Sequence, residues 1–204
     1  MYMSISLDYL RERWHIVMAS MRIPPEQPAA RSDAGIQAHD ATLHQEFEAF
    51  FWRYEGIISR YLWQMIGDQM AATDLCQETF FRAWRHFSRI KDHPQVRSWL
   101  YRVATNLAIT HRQHQASHPQ SALDDIFPGA SDPGRRIADQ DLVTRALQML
   151  PPKQRSVLLL SDVYGHSGNE IAELLNMSIS AVKMALHRAR EQFRREYLRE
   201  EGLE

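Results

Sequence analysis

The sequence predicts an all-α protein with two helical domains joined by a flexible linker and preceded by an N-terminal extension. Apolar residues recur at intervals of three and four through most of the chain, and no window alternates strongly enough to predict a strand. A stretch rich in Pro, Gly and Asp divides the helical sequence into two halves. The predicted boundaries are 1–42 for the extension, 43–117 for the first domain, 118–139 for the linker and 140–204 for the second domain.

The extension begins with a segment that has helical periodicity. Apolar residues between Ser6 and Met21 are spaced for one face of a helix, and Pro24 would end a helix after them. Two interpretations remain open, an amphipathic helix that packs on a partner or on the folded body, and a tail that is helical only part of the time. Residues 23–40 are poor in apolar side chains and indicate a linker. The apolar stripe consists of Leu7, Leu10, Trp14, Val17, Met18 and Met21.

The first domain contains the periodicity of three helices. The first helix should end near Gly67 and Asp68, the second includes Leu75 and Phe80, and the third starts close to Trp99. The segment 89–95 contains charged residues and a proline, which predicts a loop between the second and third helices. The apolar face of the first helix comprises Phe47, Phe50, Phe51, Tyr54, Ile57, Ile58, Tyr61, Leu62 and Met65.

The second domain contains a helix-turn-helix pattern, NEIAELLNMSISAVKMALHRAREQFRR. Ile171 and Leu174 face inward on the first helix, Asn176 tolerates the left-handed backbone of a tight turn, and Ser178 can cap the next helix. The exposed face of that second helix is where a recognition helix meets the major groove. An ordinary amphipathic hairpin with a solvated charged face is the alternative. The exposed face would comprise Ser180, Ala181, Lys183, Met184, His187 and Arg188.

Charge is unevenly distributed along the chain, although the net charge is -1. Residues 76–118 contain seven Arg or Lys and two acids, and residues 183–199 contain six Arg or Lys and two acids. Because phosphate binding depends on local basic surfaces, this distribution predicts two nucleic-acid-binding surfaces. A single cysteine, Cys76, excludes an internal disulfide, and the chain has neither a long apolar run nor an apolar secretory signal at its start. These features predict a cytoplasmic protein.

Two groups of side chains in the first domain have a spacing or a composition that is typical of binding sites. Asp74, Gln77 and Glu78 are spaced i, i+3 and i+4, so they share one exposed face of a helix. Trp99 and Tyr101 lie among basic and amide residues, a mixture that binds single-stranded nucleic acid by stacking and by phosphate contact. Trp84 is predicted to be a core residue, whereas Trp99 could serve either in the core or in stacking.

Motifs in both domains resemble those of extracytoplasmic-function (ECF) sigma factors of the sigma-70 family. Asp74 to Arg85, DLCQETFFRAWR, is similar to their region 2.2, and Val96 to Ala108 is similar to their regions 2.3 and 2.4. The segment LPPKQRSVLLLSDVYGHSGNEIA with the helix-turn-helix is similar to region 4. The matches cover about three quarters of the chain, in the family's order.

The resemblance implies a non-enzymatic subunit that binds RNA polymerase core and promoter DNA. Asp74, Gln77 and Glu78 match positions that bind the clamp helices of the largest polymerase subunit. Residues 89–95 and Asn106 match the element that captures a flipped base of the minus-ten strand. Arg155 matches a phosphate contact of the minus-thirty-five domain. The expected minus-ten contacts are Lys91, Arg97, Trp99, Arg102 and Asn106, and the expected minus-thirty-five contacts are Arg155, Ser180, Lys183, Met184, His187 and Arg188.

The sequence also departs from the family pattern. Gly168, Asn176 and Ala181 replace an aromatic residue, a glycine and a threonine, and Met184 and Ala185 replace a Ser-Arg pair. The missing arginine removes one expected phosphate contact, and the unusual side chains of the recognition helix imply a promoter element of unknown sequence. The family often has an anti-sigma factor as a further partner, which is an analogy for this chain.

Two other classes of protein share parts of the pattern. A helix-turn-helix regulator that binds duplex DNA without core polymerase would need a sensing domain, which residues 74–85 do not resemble. A metal-dependent enzyme could use His111, His114 and His118, which are spaced for one helix face. No acid follows closely to act as a base, and no glycine-rich phosphate loop is present. The sequence therefore predicts no catalysis, metal, cofactor or small-molecule substrate.

Overall fold

The structure is a computed structural model that describes residues 33–117 and 135–202, with side chains for 42–117 and 142–202. All regular structure in these ranges is helical, which confirms the predicted fold class. Within them, every helix is too short or too polar to cross a lipid bilayer. The helices in chain order are α1 (Asp33–Ile66), α2 (Gln69–Arg85), α3 (Phe87–Ile90), α4 (Val96–Ser117), α5 (Arg135–Gln148), α6 (Pro152–Leu158), a π-helical turn (Leu159–Val163), α7 (Gly168–Leu175) and α8 (Ile179–Glu201).

Contacts divide the chain into two compact units, Met1–His44 and Gln45–Glu204. In the first unit, the described residues form the start of α1. The second unit contains the described helices of both predicted domains, so these domains contact each other. The predicted helix between Ser6 and Met21 and most of the predicted linker lie outside the described residues.

Aromatic packing builds the core of the first domain. Phe47 lies edge-on to Trp84 and to Phe87, with ring centroids 4.9 Å apart in both pairs. Phe51 packs edge-on to Phe80 of α2 at 4.8 Å. These edge-to-face contacts confirm the inward face of α1 and place Trp84 against the core, although its side chain is only partly buried. Of that predicted face, Phe47, Phe50, Phe51, Ile58, Tyr61, Leu62 and Met65 are buried.

Local hydrogen bonds set several helix ends, some of which the sequence predicts. Asp68 caps α2 by accepting a hydrogen bond from the backbone N of Met70 at 2.8 Å. Ser167 and Glu170 form a capping box at the start of α7, in which each side chain bonds the other residue's backbone N–H. Asn176 has φ 52°, and Ser178 accepts from the backbone N of Ala181 at 3.1 Å. The predicted turn of the helix-turn-helix is therefore confirmed.

Helical structure extends into both predicted linkers. Helix α1 begins at Asp33, inside the predicted N-terminal linker, and α5 begins at Arg135, inside the linker predicted for 118–139. In the second case Pro133 and Gly134 come directly before the helix. Their presence indicated a linker, but proline and glycine stop a helix only where they stand, and the following Arg-Arg-Ile-Ala sequence is compatible with a helix. The predicted loop 89–95 is likewise shorter, because α3 continues to Ile90.

Candidate functional site

The predicted polymerase-binding residues lie together on the outer face of α2. Asp74 is exposed and Gln77 and Glu78 are partly exposed, while Cys76 and Phe80 on the opposite face are buried. Glu78 forms an ion pair with Arg82, with Oε1 and Nε 2.8 Å apart and both side chains about half exposed. An exposed pair of this kind contributes little to stability, so Glu78 can exchange Arg82 for another cation at small cost.

A cleft of about 170 Å³ opens where the loop after α3 meets the start of α4. His93 organises the loop, because its backbone N donates to Ile90 O at 3.0 Å and its ring Nδ1 accepts from the backbone N of Gln95 at 3.1 Å. A rigid loop beside an aromatic ring suits the capture of a single unstacked base. The cleft is lined by Ile90, His93, Gln95, Val96, Ser98, Trp99 and Arg102.

Trp99 occupies the wall of this cleft and is neither fully buried nor fully exposed. Its ring lies 6.3 Å from that of His86, centroid to centroid. Trp99 is thus neither a fully buried core residue nor a fully exposed one, and its role in stacking stays a prediction. Asn106 is exposed two turns further along α4, outside the residues that line the cleft.

Two of the predicted minus-ten cations have partners within the first domain. Lys91 Nζ lies 2.6 Å from Glu46 Oε2, and this hydrogen bond raises the pKa of Lys91. The guanidinium carbon of Arg97 lies 5.6 Å from the centre of the Tyr101 ring, within the range of a cation–π contact. Both side chains remain at the surface, where a phosphate could compete with these neighbours.

The predicted recognition helix, α8, packs on the second domain through Val182 and Ala189, which are buried. A two-bond ion pair holds its middle, because Arg190 donates from Nε and Nη2 to the two carboxylate oxygens of Asp162 at 2.9 and 2.7 Å. This contact lowers the pKa of Asp162. The ion pair is itself partly exposed, so the buried residues Val182 and Ala189 contribute more than it does to the attachment of α8. Five of the predicted contact residues are exposed on its outer face, namely Ser180, Lys183, Met184, His187 and Arg188.

Arg155 does not occupy the predicted position at the surface. It is 0% exposed and lies between the two helical domains. Its Nη1 donates to the backbone carbonyl of Met65 and, at 2.6 Å, to the side-chain oxygen Oε1 of Gln148. Its Nη2 donates to the backbone carbonyls of Gln148 at 2.6 Å and of Leu150 at 3.0 Å. While the two helical domains are packed together (the packed form), the guanidinium has no access to a DNA phosphate, so the predicted phosphate contact of Arg155 requires the domains to separate.

Helix ends explain how this arginine is buried without a carboxylate. Met65 is in the last turn of α1, and Gln148 is the last residue of α5. The carbonyls at a helix C-terminus have no partner in the helix and carry about half of a negative charge, so two such ends supply about one. Burial and, secondarily, the charge of Arg112 lower the pKa of Arg155 to about 9. The guanidinium therefore remains charged at neutral pH.

Further contacts surround Arg155 at this interface. Gln148 Nε2 donates to Gln64 O at 3.1 Å, and the Tyr164 hydroxyl donates to Gln64 Oε1 at 2.6 Å. Gly67 permits the approach, since it has φ +81° and a Cβ there would come within 2.8 Å of the Gln148 side chain. Sequence analysis missed Gln64, Gln148 and Tyr164, because isolated polar residues on separate helices have no shared pattern.

The interface also involves a predicted DNA contact on α4. Arg102 Nη2 donates to the backbone carbonyl of Glu173 in α7 at 3.3 Å. Tyr101 of α4 packs against Tyr164, which directly follows the π-helical turn, with ring centroids 5.2 Å apart. In the packed form, Arg102 and Arg155 therefore form hydrogen bonds between the two domains, although the sequence predicts that both contact DNA.

No cluster of three His, Cys, Asp or Glu side chains arranged for a metal ion occurs within the described ranges. Of the three histidines considered as ligands, His118 lies outside these ranges.

Two family models match the two helical domains. Sigma-70 region 2 matches residues 50–118, and Sigma-70, region 4 matches residues 140–193. Together they define a chain with the two DNA-binding regions of a sigma subunit. The ECF RNA polymerase sigma factor SigL of Mycobacterium tuberculosis is 30% identical over 168 residues, which cover 76% of this chain and 89% of that protein. The chain therefore belongs to the ECF sigma factors of the sigma-70 family.

Other comparisons agree on the family and the fold. SigG of M. tuberculosis, also an ECF sigma factor, is 29% identical over 175 residues, which cover 72% of this chain. The chain spans 47% of the length of SigG. The sigma factor RpoE of Bartonella quintana, solved in complex with the anti-sigma factor NepR, has a TM-score of 0.60 at 20% identity and covers 74% of this chain and 96% of its own. This likeness concerns the fold.

Proposed function

We propose that this protein binds RNA polymerase core and directs it to specific promoters, without catalysing a reaction itself. The observation that supports the proposal is that one chain has two different surfaces whose side chains suit nucleic acid. One is the cleft beside Trp99, which suits an unstacked base, and the other is the exposed face of α8, which suits a duplex groove. A regulator that binds duplex DNA alone has no need of the first surface.

The first surface is assigned to the minus-ten element. The cleft contributes Trp99 and Arg102 for stacking and charge, and Asn106 extends the same face of α4 toward the neighbouring nucleotides. Lys91 and Arg97 flank it and neutralise phosphates once they leave Glu46 and Tyr101. Binding a flipped base favours the opened strand over the duplex, which is how this site would assist melting.

The second surface is assigned to the minus-thirty-five element. On α8, residues 180, 184 and 188 follow one another at one-turn intervals, and Lys183 and His187 lie beside them. This geometry places side chains along the floor of the major groove and a cation near its phosphates. The buried residues Val182 and Ala189 and the Asp162–Arg190 ion pair attach α8 to the second domain and leave this face outward.

The two surfaces cannot both reach their elements while the domains are packed together. The elements are centred about 25 base pairs apart, which is about 85 Å at 3.4 Å per base pair. A compact body of 160 residues, Gln45–Glu204, has a radius of gyration of about 15 Å and so a diameter of about 40 Å. The domains therefore separate before both elements are bound, and that step releases Arg102 and Arg155.

Core polymerase is the proposed partner that accompanies this separation. Asp74, Gln77 and Glu78 are accessible in the packed form, so the first domain can bind the clamp helices before the domains move apart. RpoE has an anti-sigma factor as partner. An anti-sigma factor that keeps the two domains together is a second proposed partner for this chain.

The proposal is tested by transcription with purified core polymerase on genomic DNA, followed by sequencing of the transcript starts. We expect starts that depend on this protein and share two upstream elements. A protein that binds duplex DNA tightly by itself and gives no new starts with core polymerase would instead be a helix-turn-helix regulator.

A further inference from the structure

Met184 is an apolar side chain in the middle of the polar face of the recognition helix. It is 52% exposed, and on α8 it lies one turn after Ser180 and one turn before Arg188. At a rise of about 1.5 Å per residue, these three side chains are spaced about 6 Å apart along the helix. Met184 thus occupies the place from which a recognition helix contacts the central bases of its site.

The position of Met184 separates it from the packing of the domain. Val182 and Ala189 attach α8 to the body of the second domain and are 1% and 0% exposed. Met184 projects on the other side of the helix, among Ser180, His187 and Arg188. Its chemistry is therefore available to a ligand of the outer face and is not needed for the fold.

The chemistry of a methionine restricts what it can recognise. Its thioether is a weak acceptor and donates no hydrogen bond, so it cannot distinguish bases through their amino and carbonyl groups. Its long, adaptable apolar body makes favourable contact with methyl groups. In the major groove the methyl group that a base pair presents is the C5-methyl of thymine.

We propose that Met184 recognises the C5-methyl group of a thymine in the minus-thirty-five element. The inference rests on the proposed function of α8. The 6 Å between successive side chains correspond to about two base pairs at 3.4 Å each, so this thymine lies between the base pairs that face Ser180 and Arg188. A polar residue here would select a base by hydrogen bonding, whereas Met184 selects by the methyl group.

The test removes this methyl group from the DNA without changing any hydrogen bond. Promoter duplexes chosen by the transcription experiment are prepared with each minus-thirty-five thymine replaced in turn by deoxyuridine. Their affinity for the reconstituted holoenzyme is then measured. At one position the parent should bind the uracil duplex about four-fold more weakly, the effect of about one buried methyl group. Met184→Ala should bind both duplexes equally.

Ile179 provides the matched control. It is also a large apolar residue of α8 and is 48% exposed, but it is the first residue of the helix, outside the row formed by residues 180, 184 and 188. Ile179→Ala should keep the four-fold preference for thymine. Three results would each overturn the inference: the minus-thirty-five element of the selected promoters contains no thymine, the parent protein binds thymine and uracil duplexes equally, or Met184→Ala keeps the preference for thymine.

Lys183→Ala separates failure of this inference from failure of the proposed function. If Lys183→Ala weakens duplex binding while Met184→Ala leaves the thymine preference unchanged, α8 contacts DNA and Met184 has no part in recognition. If neither substitution changes promoter affinity, the assignment of α8 to the minus-thirty-five element is wrong, and the inference falls with it.

Discussion

Replacement of Arg155 by methionine should destabilise the packed protein strongly. Methionine has a similar length but neither charge nor donors, so the C-terminal carbonyls of α1 and α5 lose their shared partner. A cation in a partly buried site at one helix end contributes up to about 2 kcal/mol, so two ends give about 4 kcal/mol. The loss of its donor costs one buried acceptor about 1 to 3 kcal/mol, so a total of about 4 kcal/mol is reasonable for several such acceptors.

Urea unfolding followed by circular dichroism measures this loss. For a slope of about 2 kcal/mol per molar urea, a loss of 4 kcal/mol moves the midpoint down by about 2 M. Arg155→Lys keeps the charge but cannot form the four hydrogen bonds of the planar guanidinium, so its midpoint should fall between those of the parent and Arg155→Met. Arg112→Met is the matched control. It removes a like charge beside Arg155, so stability should stay the same or rise.

Fluorescence energy transfer reports separation of the domains in the same variants. Dyes on cysteines introduced at Asp92 and Glu191, both exposed, label one domain each in a Cys76→Ser background. Arg155→Met should lower the transfer efficiency. An unfolding free energy within about 0.5 kcal/mol of the parent, with unchanged transfer, would refute the idea that two helix ends hold Arg155 between the domains.

Four further predictions concern the proposed binding sites. Asp74→Arg should weaken binding to core polymerase in a co-purification assay without altering the fold, because a positive side chain would then face the positive side chains of the clamp helices. Glu191→Arg, which makes the same change on the other domain, is the control. Asn106→Ala should slow open-complex formation on duplex promoters and matter less on templates already unpaired at the minus-ten element; equal loss on both would indicate a different role. Lys183→Ala should lower the slope of log affinity against log salt by about one. Arg188→Ala should instead relax base preference by about 1 to 3 kcal/mol, and a loss of core affinity in either variant would contradict the assignment.

Local chemistry made much of the fold predictable from sequence. The turn of the helix-turn-helix depends on Asn176 and Ser178, whose effects act within three residues of their own positions. The outward face of Asp74, Gln77 and Glu78 depends on the period of one helix. These features need no knowledge of distant residues, which is why motif and periodicity were sufficient for them.

Linker boundaries were less predictable, since proline, glycine and aspartate indicate where a helix cannot continue and do not show how soon the next one begins. Arg135 starts α5 directly after Gly134. The sequence predicted the side chains beside Trp99, an aromatic ring among basic residues. It did not predict the cleft itself, because the shape of the cleft depends on how the loop folds around His93.

The sequence by itself determined the helical fold class, the helix-turn-helix and the family resemblance, whereas the tertiary structure decided the environment of Arg155. Its partner Met65 is 90 residues away, and no periodicity links the two positions. From sequence alone an arginine is expected at the surface, because burial of an uncompensated charge is costly. Here the C-terminal ends of α1 and α5 converge on it and supply the compensating charge. Convergence of helix ends exists only once the chain is folded, so that role could not be read from sequence.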